Sequence, residues 1–225
     1  MDFNYAGELL RLCEETKLPI SEVMKRREMD FSSMTAQEVE EKMRKSLEIM
    51  KTAAKEPLEN EKPSMGGLIG GEAKLLFSQK GKEKDICGDV VLKAITYAMA
   101  VLEVNASMGV IVAAPTAGSC GVLPAVLLSF AEDFPATEEM LVQALYVAAG
   151  IGKVIAENAS LAGASGGCQA EIGSASAMAA GALVCLQGGD AEAIMHGAAL
   201  ALKNMLGLVC DPVAGLVEVP CIKRN

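Results

Sequence analysis

Beyond residue 89 the chain runs through one apolar segment after another, each too long for a strand and most bounded by a helix-starting or helix-stopping residue. Residues 90–105, 122–130, 137–158, 172–187 and 190–206 read as helices on this ground. Thr137, followed by Glu138 and Glu139, suits a helix start, and Asp190 is a second cap. Gly188 and Gly189 stop the segment before it. The period-two alternation of a half-buried strand is hard to find, and runs of β-branched residues are short. The expected fold is therefore all-α, a multi-helix bundle whose glycine-rich loops converge on an active site. With 22 Gly, 13 Met and no Trp among 225 residues, small and flexible side chains must fill the space between helices.

Residues 109–130 form the one stretch that could pass for a membrane span, being long and uncharged. Pro115, Gly118, Gly121 and Pro124 interrupt it, so it reads as two short core helices around a polar turn. No membrane is expected. The formal net charge of −9 argues against nucleic acid, which calls for a basic face. The opening residues lack the basic region of a secretory signal, and the cysteines number seven without a disulfide-framework spacing. A reducing, cytoplasmic setting follows as the expectation.

Residues 1–60 differ in character and are taken as an N-terminal amphipathic helical region, with residues 61–225 as the helical body that carries the chemistry. Short helices are expected over residues 8–15 and 21–27, broken at Pro19, with Ser21 as an N-cap. Thr35 and Glu38 fit a capping box, opening a helix to about Lys55 with Val39, Met43, Leu47 and Met50 on one face. Residues 59–71 are glycine-rich but lack the phosphate-loop pattern, so a mobile loop beside an active site is the expectation there.

The polar residues of the loops in the second half carry the functional signal. Thr116 and Ser119 interrupt one apolar region, and Asn158, Ser160 and Ser165 gather in another. Such groups serve as helix caps or bind a ligand, and the residues alone leave both open. Cys168 follows two glycines; Cys210 and Cys221 each stand beside a proline that stiffens the backbone. By spacing, packing is the default for all three and metal ligation the alternative, since no C-x-x-C pair is present.

The segments NASMGVIVAAPTAGSCGVLP, NASLAGASGGCQAEIGSASAMAA and KNMLGLVCDPVAGLVEVPCIKRN together resemble the alpha subunit of bacterial iron–sulfur-dependent L-serine dehydratase. The resemblance runs from the N-terminal region to Asn225. It implies that Cys168, Cys210 and Cys221 ligate a [4Fe–4S] cluster and leave one iron open as a Lewis acid for L-serine. It further implies conversion of serine to pyruvate and ammonia, in amino-acid degradation and gluconeogenesis. A separate beta subunit is the implied partner and a source of the catalytic base, which no residue here claims. Thr116, Ser119, Asn158 and Ser160 become candidates to orient the substrate, and Arg224 and Asn225 to tune the cluster from behind its ligands. Cys13, Cys87 and Cys185 fall outside the motifs, Cys185 as core, and Cys120, in the PTAGS loop, is taken as packing. His196 is expected to be structural, and Lys203 to complement a helix end.

Two departures from the family pattern stand out. Similar proteins continue for several helices past Asn225, so part of the fold is expected to be missing. Ser165 also stands where some single-chain relatives carry Glu, and it receives no acidic role. The competing readings are a pyridoxal-phosphate serine dehydratase, which needs a Schiff-base lysine on an α/β scaffold, and a non-catalytic helical protein that retains the motifs.

Overall fold

The computed structural model describes residues 1–81 and 87–225. At its centre lies α9 (Cys168–Leu186), packed against α7 (Glu138–Asn158), α6 (Val122–Asp133) and α10 (Ala191–Asn204). The sequence of α9 explains its place. Ala175, Ala177, Ala179 and Ala182 are all buried, and side chains this short let neighbouring helices close in. At Gly181 a Cβ would fall 2.1 Å from Ile151 Cδ1 of α7 and 3.4 Å from Ile194 Cγ2 of α10. Three helices meet on that glycine. Burying Ile151 there stabilises the fold by roughly 1.5–3 kcal/mol.

Two helices, α7 and α9, are long and apolar enough to cross a membrane by length and composition, but 56% of each is buried inside the protein. They are core helices of this packing. Residues 109–130, the expected candidate, instead contain an irregular approach, a 3-10 turn at Ala117–Ser119 and α6. One helix replaces the expected two: residues 109–116, with Pro115 among them, are irregular, and the helix begins only at Val122.

The N-terminal helices α1 (Ala6–Thr16), α2 (Ile20–Ser32) and α3 (Ala36–Glu59) share this core through Leu9, Ile20, Val23, Val39, Leu47 and Met50. Thr35 caps α3 as its sequence requires, accepting from Glu38 N at 3.3 Å while Glu38 Oε2 accepts from Thr35 N at 2.8 Å. Ser21 is not a cap. Pro19 occupies that position with extended backbone, and Ser21 is buried within the first turn.

A second apolar cluster gathers α5 (Asp89–Ala106), the short α4 (Glu72–Phe77) and α11 (Glu218–Arg224) around Tyr97, Ala98, Val101, Cys120 and Ile222. It holds one unusual group, the buried carboxyl of Glu103. Its Oε1 accepts from Ala73 N at 2.8 Å at the start of α4, while Oε2 has no hydrogen-bond partner. Eleven α-helices and no strand make up the described residues; the bridge between Val213 and Leu216 is their one β-type pairing. The fold is all-α.

Candidate active site

Everything in the site hangs from the N-terminus of α9. Gly167, with φ of +74°, is its N-cap, and a Cβ there would lie 2.8 Å from Leu208 O and 3.3 Å from Cys210 N. Only glycine lets the segment carrying Cys210 pass so close. That segment is then fastened twice: Gln169 N donates to Leu208 O at 2.9 Å, and Gly207 N donates to Gln169 Oε1 at 2.9 Å. Cys168 is the first residue of α9 rather than part of a turn, and it is buried.

Cys221 arrives from α11. The expected stiff, non-helical backbone gives way to a short helix because Pro220 falls in the first turn, where its missing N–H has no intrahelical partner to lose. Arg224, one turn on, donates to Val209 O, next to Cys210 in the chain. It also pairs with Asp211 at 2.7 Å. The Cys221 thiol is pushed up to about 11 by burial first, then by Cys168, Glu171 and Cys210, with Arg224 opposing. The three sulfur residues thus share one electrostatic neighbourhood with one guanidinium. Cys120 lies buried behind Cys221, its thiol pushed up to about 12 chiefly by desolvation.

Asn225 clamps this group to the loop before α6. Its Oδ1 accepts from Gly121 N at 3.0 Å, and its Nδ2 donates to Gly118 O at 2.7 Å and Cys221 O at 2.8 Å. On that loop, Thr116 Oγ1 donates to Glu171 Oε1 at 2.7 Å and lies 3.0 Å from Ser119 Oγ. Ser119 is fully buried. Ser160 is exposed, its Oγ 2.8 Å from Ser165 Oγ and accepting from Ala162 N at 3.2 Å, beside the short α8 (Gly163–Gly166). Asn158 is turned elsewhere. Its Nδ2 donates to Asn4 O at 2.7 Å and Val154 O at 2.8 Å.

Soft thiols suit zinc, copper(I) or an iron–sulfur cluster. Among the described residues no three His, Cys, Asp or Glu side chains converge tightly enough for a single ion. One ion would need its sulfurs within roughly 4 Å of each other, given bonds of about 2.3 Å. A four-iron cluster takes each cysteine on a different iron, and cysteine thiolates are the donors that such a group uses.

The family model for the serine dehydratase alpha chain matches residues 15–225. The chain belongs to the serine dehydratase alpha chain family. A Bacillus subtilis relative named "Probable L-serine dehydratase, alpha chain" is 46% identical over 99% of this chain and 74% of its own length. The "L-serine dehydratase, alpha chain" of Peptoniphilus asaccharolyticus is 42% identical over 99% of this chain and 76% of its own. The "L-serine dehydratase" of Streptomyces coelicolor is 39% identical, and there the match spans 49% of the relative.

Within this serine dehydratase alpha chain, sequence reasoning missed two carboxylates of the site. Glu171 lies one helical turn after Cys168, a spacing that the GCQAE segment already contained. Glu218 ties α11 to the glycine-rich loop, accepting from Ser64 Oγ at 2.6 Å and Gly66 N at 2.7 Å. His196 is largely exposed on α10, 3.6 Å from Glu192, and Lys203 is exposed in the last turn of that helix. Cys13 and Cys185 line a separate cavity of about 640 Å³ near the α9–α10 turn.

Proposed function

We infer that this chain is the alpha chain of an L-serine ammonia-lyase and that Cys168, Cys210 and Cys221 hold a [4Fe–4S] cluster at the start of α9. The observation that carries the reading is a single one: in a chain of the serine dehydratase alpha family, the segment with Cys210 is fastened to the start of α9 at Gln169, and Arg224, one turn from Cys221, reaches that same segment at Val209 O and Asp211. When bound, the cluster would supply Lewis acidity for the serine hydroxyl, whose departure as hydroxide is otherwise unfavourable.

The chain's own residues prepare the place. Arg224, held by Asp211 and Val209 O, offsets the negative charge of the thiolates. Asn225 fixes α11 against Gly118 and Gly121, so that Cys221 and the Thr116 loop keep one spacing. Thr116 would orient a serine molecule from its loop and Ser160 from the loop before α8, while Ser119, fully buried, supports the Thr116 hydroxyl from behind. Asn158 receives no substrate contact, because its amide already serves Asn4 and Val154. Loss of the α-proton and the β-hydroxyl gives 2-aminoacrylate and water. Tautomerisation to the imine and hydrolysis then give pyruvate and ammonia.

The α-proton acceptor is assigned to a beta chain. The Streptomyces relative, at about twice the matched length, contains sequence that this chain does not. The pyridoxal-phosphate reading loses its support, since the all-helical fold lacks the α/β scaffold that it needs. A reducing cytoplasm suits seven cysteines that follow no disulfide-framework spacing.

The test is anaerobic purification with and without a co-expressed beta chain, followed by serine-dependent pyruvate formation. A brown protein whose activity falls in air and returns with ferrous iron and reductant is the expected result. Cys168→Ala, Cys210→Ala and Cys221→Ala should each lose the visible absorption, and Cys185→Ala should keep it. Activity that survives prolonged aeration, or a colourless active enzyme, would sink the cluster assignment.

A further inference from the structure

Three carboxylates stand in the site, and two are already satisfied. Asp211 pairs with Arg224, and Glu218 accepts from Ser64 and Gly66. Glu171 differs. Its Oε1 takes one hydrogen bond, from Thr116, and among the described residues no lysine or arginine forms an ion pair with it. The surrounding backbone is cut back to make room for it. A Cβ on Gly163 would lie 2.3 Å from Glu171 Oε2, and one on Gly118 would lie 3.0 Å from Oε1. Three segments (the Thr116 loop, α8 and the first turns of α9) therefore enclose one partly buried carboxylate, one helical turn from Cys168, with no ion-pair partner among the described residues.

A carboxylate in this position calls for a small cation bearing several N–H donors. L-serine brings one, its α-ammonium. We propose that Glu171 is the counter-charge for the substrate's α-ammonium, with Thr116 holding the carboxylate at its angle. The assignment rests on the serine reading above and deepens it. It also supplies selectivity, because a hydroxy acid without the amine would leave the carboxylate unpaired. A charge-assisted contact of this kind changes affinity by roughly tenfold to a hundredfold.

The experiment uses the reconstituted complex of alpha and beta chains under anaerobic conditions. It compares binding of L-serine with binding of 3-hydroxypropionate, which is serine without its amine, by calorimetry alongside turnover. Glu171→Gln should keep the cluster absorption, weaken L-serine roughly tenfold to a hundredfold and leave 3-hydroxypropionate unchanged. The rise in KM should exceed any fall in kcat. Gly163→Ala presses on Oε2 without removing the charge, and it should show the same selective loss. It carries the test alone if Glu171→Gln does not fold. Equal weakening of both ligands would reveal a structural role and overturn the proposal. So would unchanged serine affinity, with or without a collapse of kcat. A wild-type complex that prefers serine to 3-hydroxypropionate through Glu171, yet forms no pyruvate, would uphold the proposal and remove the dehydratase reading.

Discussion

Glu103 shows how much a single buried residue can reveal. It is 3% exposed, one carboxylate oxygen is unpartnered, and burial raises its pKa, partly offset by the backbone bonds from Ala73 and Gly71. A carboxyl whose folded-state pKa is raised binds its proton more tightly in the native protein. Its contribution to stability is therefore fully present below the ordinary carboxylate range and is lost as pH rises through the raised value. Glu103→Gln keeps an acceptor for Ala73 N and removes the ionisation. Urea melts should show the variant more stable than the parent by about 1 kcal/mol at pH 8, with the gap closing towards pH 4. A constant gap across that range would exclude the charge as the cause. Nothing in the local pattern marks Glu103, since an acid in a helix is ordinarily solvated. Spacing left packing ahead for the three cysteines, so only their motif context makes them candidates. Glu171 stayed hidden for a different reason: its role comes from glycines in two other segments, which only the fold brings to it.

At the scale of elements, legibility followed locality. The Thr35 and Glu38 box and the Thr137 and Asp190 caps were readable because each lies within four residues of what it caps. The starts of α9 and α11 were not. Gly167 and Pro220 ordinarily break helices, but here they occupy an N-cap and a first turn, where those same properties are tolerated. Nor could periodicity show how closely α7, α9 and α10 approach, because α9 is apolar nearly all round and points no single face inward. The contact at Gly181 puts a number on it. Gly181→Ala would place a methyl carbon 2.1 Å from a terminal carbon of Ile151, a side chain with no free space beside it. Overpacking of this kind should lower unfolding stability by about 1–3 kcal/mol, measured by chemical denaturation. Helix propensity alone would have made the same change favourable by up to about 1 kcal/mol, so the sign of the result separates packing from propensity.

The whole molecule presents its candidate chemistry on a surface that is not finished like the rest. Leu206, Val209, Val213, Leu216 and Val217 are between 40% and 68% exposed, all within the segment that carries Cys210. Single exposed apolar residues are ordinary, but a run of them beside a catalytic opening marks a contact surface. Glu218 and Ser64 tie the glycine-rich loop to the same side, and that loop adds Met65 at 76% exposure. The beta chain proposed above would cover this face, excluding water from the opening while bringing the missing base. Leu206→Lys should therefore reduce co-purification of the beta chain and the rate of pyruvate formation together. Helicity and cluster absorption of the alpha chain should stay as in the parent, because the side chain is 68% exposed and supports no core packing. Pyruvate formation restored by a large excess of beta chain would place the defect in association. A variant that binds the beta chain normally would move the partner to another face.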